Sequence, residues 1–244
     1  MAMATALSES VTGLGPFFAL RIHPHGTEPG GPWQPMSRPL LEERVAAVGE
    51  RLAATGGRPP GSVETRVAAS VAHLGLAARL ISPALAAAVL HGKVLAPGLT
   101  ELRWQPVIGG PIPLSLPDSA LVDSPAGPPT SPPERLADEL STRLLDGSLR
   151  ELADEMGEFS VSRHILWGNT ASALNGAATM ITTSRPDLAT PTRTLTSLLL
   201  ARPPLRSTTT SAAGGAFRRR SCCLIYRAAP DRKGALCGDC ALAR

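Results

Sequence analysis

No cysteine precedes position 222; all four thiols of this 244-residue chain stand within its last 23 residues. That excludes a disulfide framework threaded through the fold, since nothing upstream can pair. Aromatic residues are almost as scarce, with three Trp, one Tyr and four Phe. A chain so poor in stacking rings has little with which to build a nucleic-acid platform, and no nucleic-acid partner is expected. The patterns G-x-G-x-x-G, the Walker loop and G-x-S-x-G are missing, so no nicotinamide or flavin site is visible and electrons would have to arrive from a separate donor. Long uninterrupted apolar runs are also missing. The longest apolar region, Val67 to Leu90, is broken by His73, Arg79 and Pro83, and it reads as buried helices and not as an integral membrane span. The N-terminus places no basic residues ahead of an apolar stretch, so no secretory signal is expected and the location is read as cytoplasmic.

What is present points to helices and to one chemically loaded end. Much of the 43% hydrophobic content is alanine and leucine, which favours closely packed helices. Net charge is only +4, but from Arg206 onward eight basic residues face Asp231 and Asp239 alone. The basic excess therefore belongs to the segment that carries the thiols, Cys222-Cys223 and Cys237-Gly238-Asp239-Cys240. Four thiolates gathered so closely suffice, with no other ligand, to hold zinc or an iron–sulfur cluster. A lone C-x-x-C fits zinc, iron–sulfur and thiol–disulfide exchange alike. The adjacent pair narrows the field. Neighbouring side chains in an extended segment face opposite ways, and zinc sites draw their ligand pairs from cysteines two to four residues apart. A two-iron cluster is a wider object that a turning Cys-Cys pair can grip, so the spacing favours iron–sulfur over structural zinc, with Cys222, Cys223, Cys237 and Cys240 as candidate ligands.

The segment Phe217 to Arg227, reading FRRRSCCLIYR, continued by Leu236 to Leu242, LCGDCAL, resembles the C-terminal signature of the FhuF-like ferric siderophore reductases. Upstream, Ile165 to Leu174, ILWGNTASAL, resembles a helical segment of the same family. The resemblance implies a 2Fe–2S cluster held by the CC…CxxC cysteines, a ferric siderophore as substrate, a separate reductase or ferredoxin as electron donor, and one-electron reduction of siderophore-bound iron(III). One departure is visible: thirteen residues, Leu224 to Leu236, separate the two cysteine pairs, where members of the family usually have about ten. The polar turn Pro230 to Gly234 is the expected place for the extra length, because a surface turn tolerates insertion at small cost. A non-enzymatic sensor or regulator, whose cluster or zinc controls binding to a partner, is the alternative reading.

The rest of the chain reads as mainly α with a small β-hairpin or sheet, an α+β fold ending in the iron–sulfur cysteine segment. Four regions are expected: 1–116, helical with the small β element; 117–133, a Pro-rich linker; 134–216, helical; and 217–244, the cluster-binding segment. Ser37 is placed to cap a first helix over Leu40 to Leu52, Ser62 a second that runs through Leu80, and a third starts near Pro83 and stops by Gly92. Leu102 to Leu116 alternates around Gly109-Gly110 and predicts a hairpin with prolines at an edge. Short helices follow over Glu134 to Asp146 and Leu149 to Met156, then a longer one capped by Ser160 and a last one from Thr190-Pro191 to Ala201. The stretch from Ser207 to Gly215 is flexible in composition.

Other polar residues carry weaker signals. His23 and His25 lie in a Pro-rich loop with no carboxylate or thiolate nearby to complete a metal site. Arg163 and His164 read as ordinary surface and core positions, and Trp167, Gly168 and Asn169 as a close helix contact with Asn169 bonded to a neighbouring loop. Arg218-Arg219-Arg220 precede the first thiol. Their charges would stabilise a reduced cluster or attract an anionic siderophore.

Overall fold

The computed structural model describes residues 2–123, 132–211 and 217–243. Its elements in chain order are α1 (Ala2–Thr12), β1 (Arg21–His23), β2 (Gln34–Pro35), α2 (Arg38–Thr55), α3 (Thr65–His91), β3 (Lys93–Leu95), β4 (Arg103–Trp104), β5 (Leu114–Pro117) and β6 (Leu121–Asp123). There follow α4 (Pro133–Leu140), a π-helical stretch Ser141–Ser148, α5 (Leu149–Gly157), α6 (Arg163–Ser184), α7 (Ala189–Leu200), β7 (Thr209–Ser211) and β8 (Phe217–Arg219). The mainly helical α+β architecture agrees with the expectation.

The axis of the molecule is α3, which packs along α6 and also against α2 and α5. It is one continuous helix where two were expected. Pro83 sits inside it, and Ser62 is not its cap; Glu64 precedes the first turn. A mid-helix proline costs roughly 3 kcal/mol in isolation. Here every residue from Leu80 to Ala88 is buried, and packing on all sides outweighs that local penalty. The helix ends at Gly92, whose φ of +60° closes the last carbonyls in the left-handed conformation glycine adopts freely. Among the described residues α3 alone is long and apolar enough to cross a membrane, and 72% of its most apolar window is buried in the protein.

Arg79 shows how the fold accommodates a charge on this axis. Its side chain is 1% exposed and donates to the carbonyls of Ile112 (2.6 Å), Phe17 and Ala19. A buried guanidinium is tolerable only with such partners, and these three fasten the N-terminal turn and the β region to α3.

The β region is larger than a hairpin. β4 and β5 pair antiparallel with Trp104 opposite Leu114, as the alternation predicts, but β1 adds parallel to β5 and β2 antiparallel to β4, giving the order β1-β5-β4-β2. Leu114 to Pro117 is therefore internal and not an edge; Pro117, at the strand's end, lies opposite His23. A second ribbon pairs β3 with β6. Of the expected linker 117–133, Pro117 to Asp123 is thus in strands and a short 3-10 turn and Pro133 opens α4, while 124–131 lie outside the described residues. A single cluster of buried side chains runs from Leu7 through Leu205, on both sides of that stretch.

Helix starts are shifted by small amounts. Ser37 does precede α2, but its side chain makes no cap bond there. Ser162, not Ser160, caps α6, accepting from the Ile165 amide at 3.4 Å; Ser160 takes φ of +59° in the preceding turn. After α7 the chain does not pass straight into the cysteines. Thr209–Ser211 pairs with Phe217–Arg219, and 212–216, within the Ser/Gly-rich stretch, lie outside the described residues.

Candidate iron–sulfur centre

The C-terminal segment leaves β8 and lies across α3 and α6. Ser221 is buried, Cys222 half-buried and Cys223 buried; on the return, Cys237 is half-buried and Cys240 buried. None of the four is in a disulfide. The turn expected at the cysteine pair is present: Leu224 takes φ of +68°, and its amide donates to Cys222 Sγ at 3.3 Å. The second pair has a matching bond, from the Leu242 amide to Cys240 Sγ at 3.3 Å. The two arms are held to one another because the Arg219 amide donates to the Asp239 carbonyl at 3.1 Å.

The thiols interact across the arms. Burial, a hydrogen bond with Cys223 and the neighbouring Cys223 and Cys240 sulfurs push the Cys237 thiol up to about 12. Burial raises Cys222 as well, with Cys223 and Cys240 adding to the effect. Such crowding disfavours bare thiolates, and metal binding, by supplying positive charge, reverses that preference.

Helices supply the seat. A Cβ on Gly168 of α6 would lie 2.2 Å from Ser221 Oγ and 3.1 Å from Arg219 Nη2, so only glycine lets the segment approach this closely. Gly168 thus packs against the cysteine segment. Asn169 Nδ2 donates to Ser70 of α3, at 2.9 Å to its carbonyl and 3.2 Å to its hydroxyl, and Ser70 Oγ donates to the Cys223 carbonyl at 2.8 Å. The partner of Asn169 is therefore a helix residue that reaches the segment, not a loop. The long connection between the cysteine pairs is anchored at its start. Arg227 pairs with Glu64 at 2.9 Å, and Arg58 donates to the Ala228 carbonyl at 3.1 Å. Pro230 to Lys233 is exposed, where the extra length was expected.

Of the three consecutive arginines only Arg219 turns inward. It is 1% exposed; burial lowers the proton affinity of its guanidinium, and the nearby Cys223, Cys237, Cys222 and Asp239 oppose that shift. Its Nη2 donates to the Ile165 carbonyl at 3.3 Å, but Nε and Nη1 are buried without a partner. Arg220 is exposed and bonds the Thr209 carbonyl. Below Arg219 lies His73, fully buried with both ring nitrogens unpartnered; burial, aided by the Arg219 charge, lowers it to about 3.

The remaining candidates are elsewhere. His23 is buried against Ser115, Nδ1 to Oγ at 2.8 Å, and His25 meets Ser119 at 2.9 Å. Arg163 is exposed and paired with Asp154 at 2.9 Å. Among the described residues no three His, Cys, Asp or Glu side chains are disposed around one metal ion. A two-iron cluster does not require that, since it takes two thiolates at each iron. The donor set and its surroundings fit such a group: four free thiols, two amide-to-sulfur bonds, and two orphaned guanidinium N–H positions of Arg219 that an anion would satisfy.

These features define the segment as an iron–sulfur type of domain. Residues 219–242 match the family model of the FhuF 2Fe-2S C-terminal domain. The segment is thus FhuF-like, with a 2Fe–2S cluster as its cofactor; Ile165 to Leu174 and the rest of the helical body lie outside the matched residues. No curated protein matches the chain. Ser70, His73 and the individual role of Arg219 had no legible motif, because each acquires its place only when α3, α6 and the C-terminal segment meet.

Proposed function

We propose that the protein is a ferric siderophore reductase in which Cys222, Cys223, Cys237 and Cys240 hold the 2Fe–2S cluster. The observation that carries this reading is the match of residues 219–242 to the FhuF 2Fe-2S domain, a segment whose four cysteines are free and which holds a buried, partly unpartnered arginine. When bound, the cluster supplies one electron at a time. The substrate is iron(III) in an oxygen-rich chelator, and one electron converts it to iron(II), which such chelators hold far more weakly; no covalent bond is made or broken. The chain's own residues do the rest. Ser70, Asn169 and Gly168 fix the first cysteine arm against the helices, Arg219 offsets negative charge from beneath, and burial of Cys223 and Cys240 keeps water from that side. The electron comes from a separate donor, and a reducing, cytoplasmic setting suits four free thiols.

The test is to reduce the anaerobic protein chemically, remove excess reductant and add a ferric siderophore with an iron(II) trap. One iron(II) should be trapped for each reduced cluster oxidised. A cluster that stays reduced in the presence of every ferric chelate tried contradicts the reading.

A further inference from the structure

The half-buried thiols Cys222 and Cys237 bring one edge of the candidate centre to the surface. Two apolar side chains flank the second cysteine pair there. Leu236 stands directly before Cys237, and the Leu242 amide is the donor to Cys240 Sγ at 3.3 Å. These leucines are 46% and 51% exposed. A lone exposed leucine is ordinary; two beside one pair of thiols make an apolar spot where an electron would enter.

Positive charge adjoins that spot. Arg220, Arg232 and Lys233 are exposed, with Asp231 the exposed carboxylate among them; Asp239 is half-buried and acts on Arg219. Where the long connection between the cysteine pairs meets the start of α3, Glu64 is shared by Arg66, Arg227 and Arg232, at 2.8, 2.9 and 3.5 Å. One carboxylate against three guanidiniums leaves that corner positive. Between Phe217 and Ala243 six basic residues stand against two acidic ones, an excess larger than the charge of about −2 on an oxidised four-thiolate cluster.

An apolar centre with a charged rim is the anatomy of a protein interface, and charge of one sign speeds encounter with a partner of the other. We propose that this surface docks the electron donor, and that the donor is a small acidic one-electron carrier protein whose carboxylates face Arg220, Arg232 and Lys233. The inference rests on the cluster of the reductase reading above and names the partner that loads it. In the encounter the carrier loses one electron and the cluster gains it; no bond forms or breaks. Electron-transfer encounters of this kind are served by small contact areas, which suits two leucines and a few cations. A small anionic chelate is less well matched: the grooves described in the molecule are lined by residues other than Arg220, Arg232, Lys233, Leu236 and Leu242, and small molecules favour concave sites. A lipid surface is less well matched too, because the segment after β8 is turns and a single 3-10 turn, with no amphipathic helix to lie among headgroups.

The test is stopped-flow mixing of the oxidised holoprotein with fully reduced flavodoxin, an acidic carrier whose blue one-electron form reports the transfer. Reduced methyl viologen, a small cation, serves as the second reductant. The wild-type rate constant with flavodoxin should fall at least tenfold between about 0.02 M and about 0.5 M salt. Arg220→Gln, Arg232→Gln and Lys233→Gln together should lose at least tenfold with flavodoxin at low salt, with iron content and the viologen rate unchanged. Leu236→Ser with Leu242→Ser should slow flavodoxin severalfold at both salt concentrations. Arg135→Gln with Arg143→Gln, exposed on α4 and the π-helical stretch, should behave as wild type. A flavodoxin rate indifferent to salt, or a triple variant slowed equally with both reductants, overturns the docking surface. So does binding of the wild type to phosphatidylserine vesicles, lost in the triple variant, with no effect on flavodoxin. Each of these leaves the reductase reading intact. A cluster loaded by viologen that passes no electron to any ferric chelate removes the reductase reading, while a salt-dependent flavodoxin rate still upholds the docking surface.

Discussion

Arg219 is the residue on which the electrostatics of the centre turn. Three arginines adjoin the first thiol in sequence, but only this one is buried among the thiols with two N–H positions lacking acceptors. A four-thiolate 2Fe–2S cluster carries about −2 when oxidised and one more negative charge when reduced, so a buried cation favours the reduced form. Arg219→Gln should lower the midpoint potential by roughly 60 mV, the one-electron equivalent of a tenfold change. Arg220→Gln, exposed and screened, should leave the potential within error. Redox titrations of both variants followed by electron paramagnetic resonance decide it; equal shifts would return all three arginines to one undifferentiated charge run. His73 makes a second prediction. Its ordinary value of 6.5 is lowered to about 3 by burial, so below pH 6.5 the unfolded chain takes up a proton that the folded chain refuses. Stability from this group is complete above pH 6.5 and is lost as pH falls toward 3, by up to about 1.4 kcal/mol per pH unit. His73→Leu should flatten the acid side of a urea-denaturation series between pH 7 and pH 5, because an apolar replacement leaves no buried nitrogen unpaired. An unchanged slope would show that His73 takes up its proton equally in the folded and unfolded chains.

At the level of elements, the seat of the centre is the close approach of α6 to the cysteine segment at Gly168. Adding one methyl there puts Cβ 2.2 Å from Ser221 Oγ, and overpacking of this kind costs about 1–3 kcal/mol. Gly168→Ala should therefore loosen the segment and shorten cluster lifetime in air, and Ser221→Ala in the same chain should restore part of the loss. If the double variant is no better than the single one, the contact is not what fixes the segment. How far such elements could be read beforehand depended on how local their causes are. The hairpin partners Trp104 and Leu114 follow from alternation and paired glycines, and α2 from its apolar spacing. The continuity of α3 through Pro83 does not, since burial on all sides overrides the local rule. The parallel addition of β1 to β5 was likewise illegible, because it joins strands about 90 residues apart. The cysteine motif was fully legible as a motif. Its neighbours were not: nothing local marks Ser70 or His73 as lying beneath Cys223 and Arg219.

For the whole molecule, the N-terminal turn, the small sheet and both long helices share one core, and the C-terminal segment closes over it. The FhuF-like segment is therefore seated on the long buried helices α3 and α6. The proposed reductase requires that the four cysteines in the last 23 residues hold a two-iron cluster. The most direct measurement is metal and sulfide content after anaerobic purification, for wild type and for Cys→Ser at 222, 223, 237 and 240 in turn. Red-brown protein with roughly two irons and two acid-labile sulfides per chain is expected, with loss of most of both in each variant. Colourless protein with one zinc per chain, or a Cys223→Ser variant with its full iron and sulfide, would contradict it.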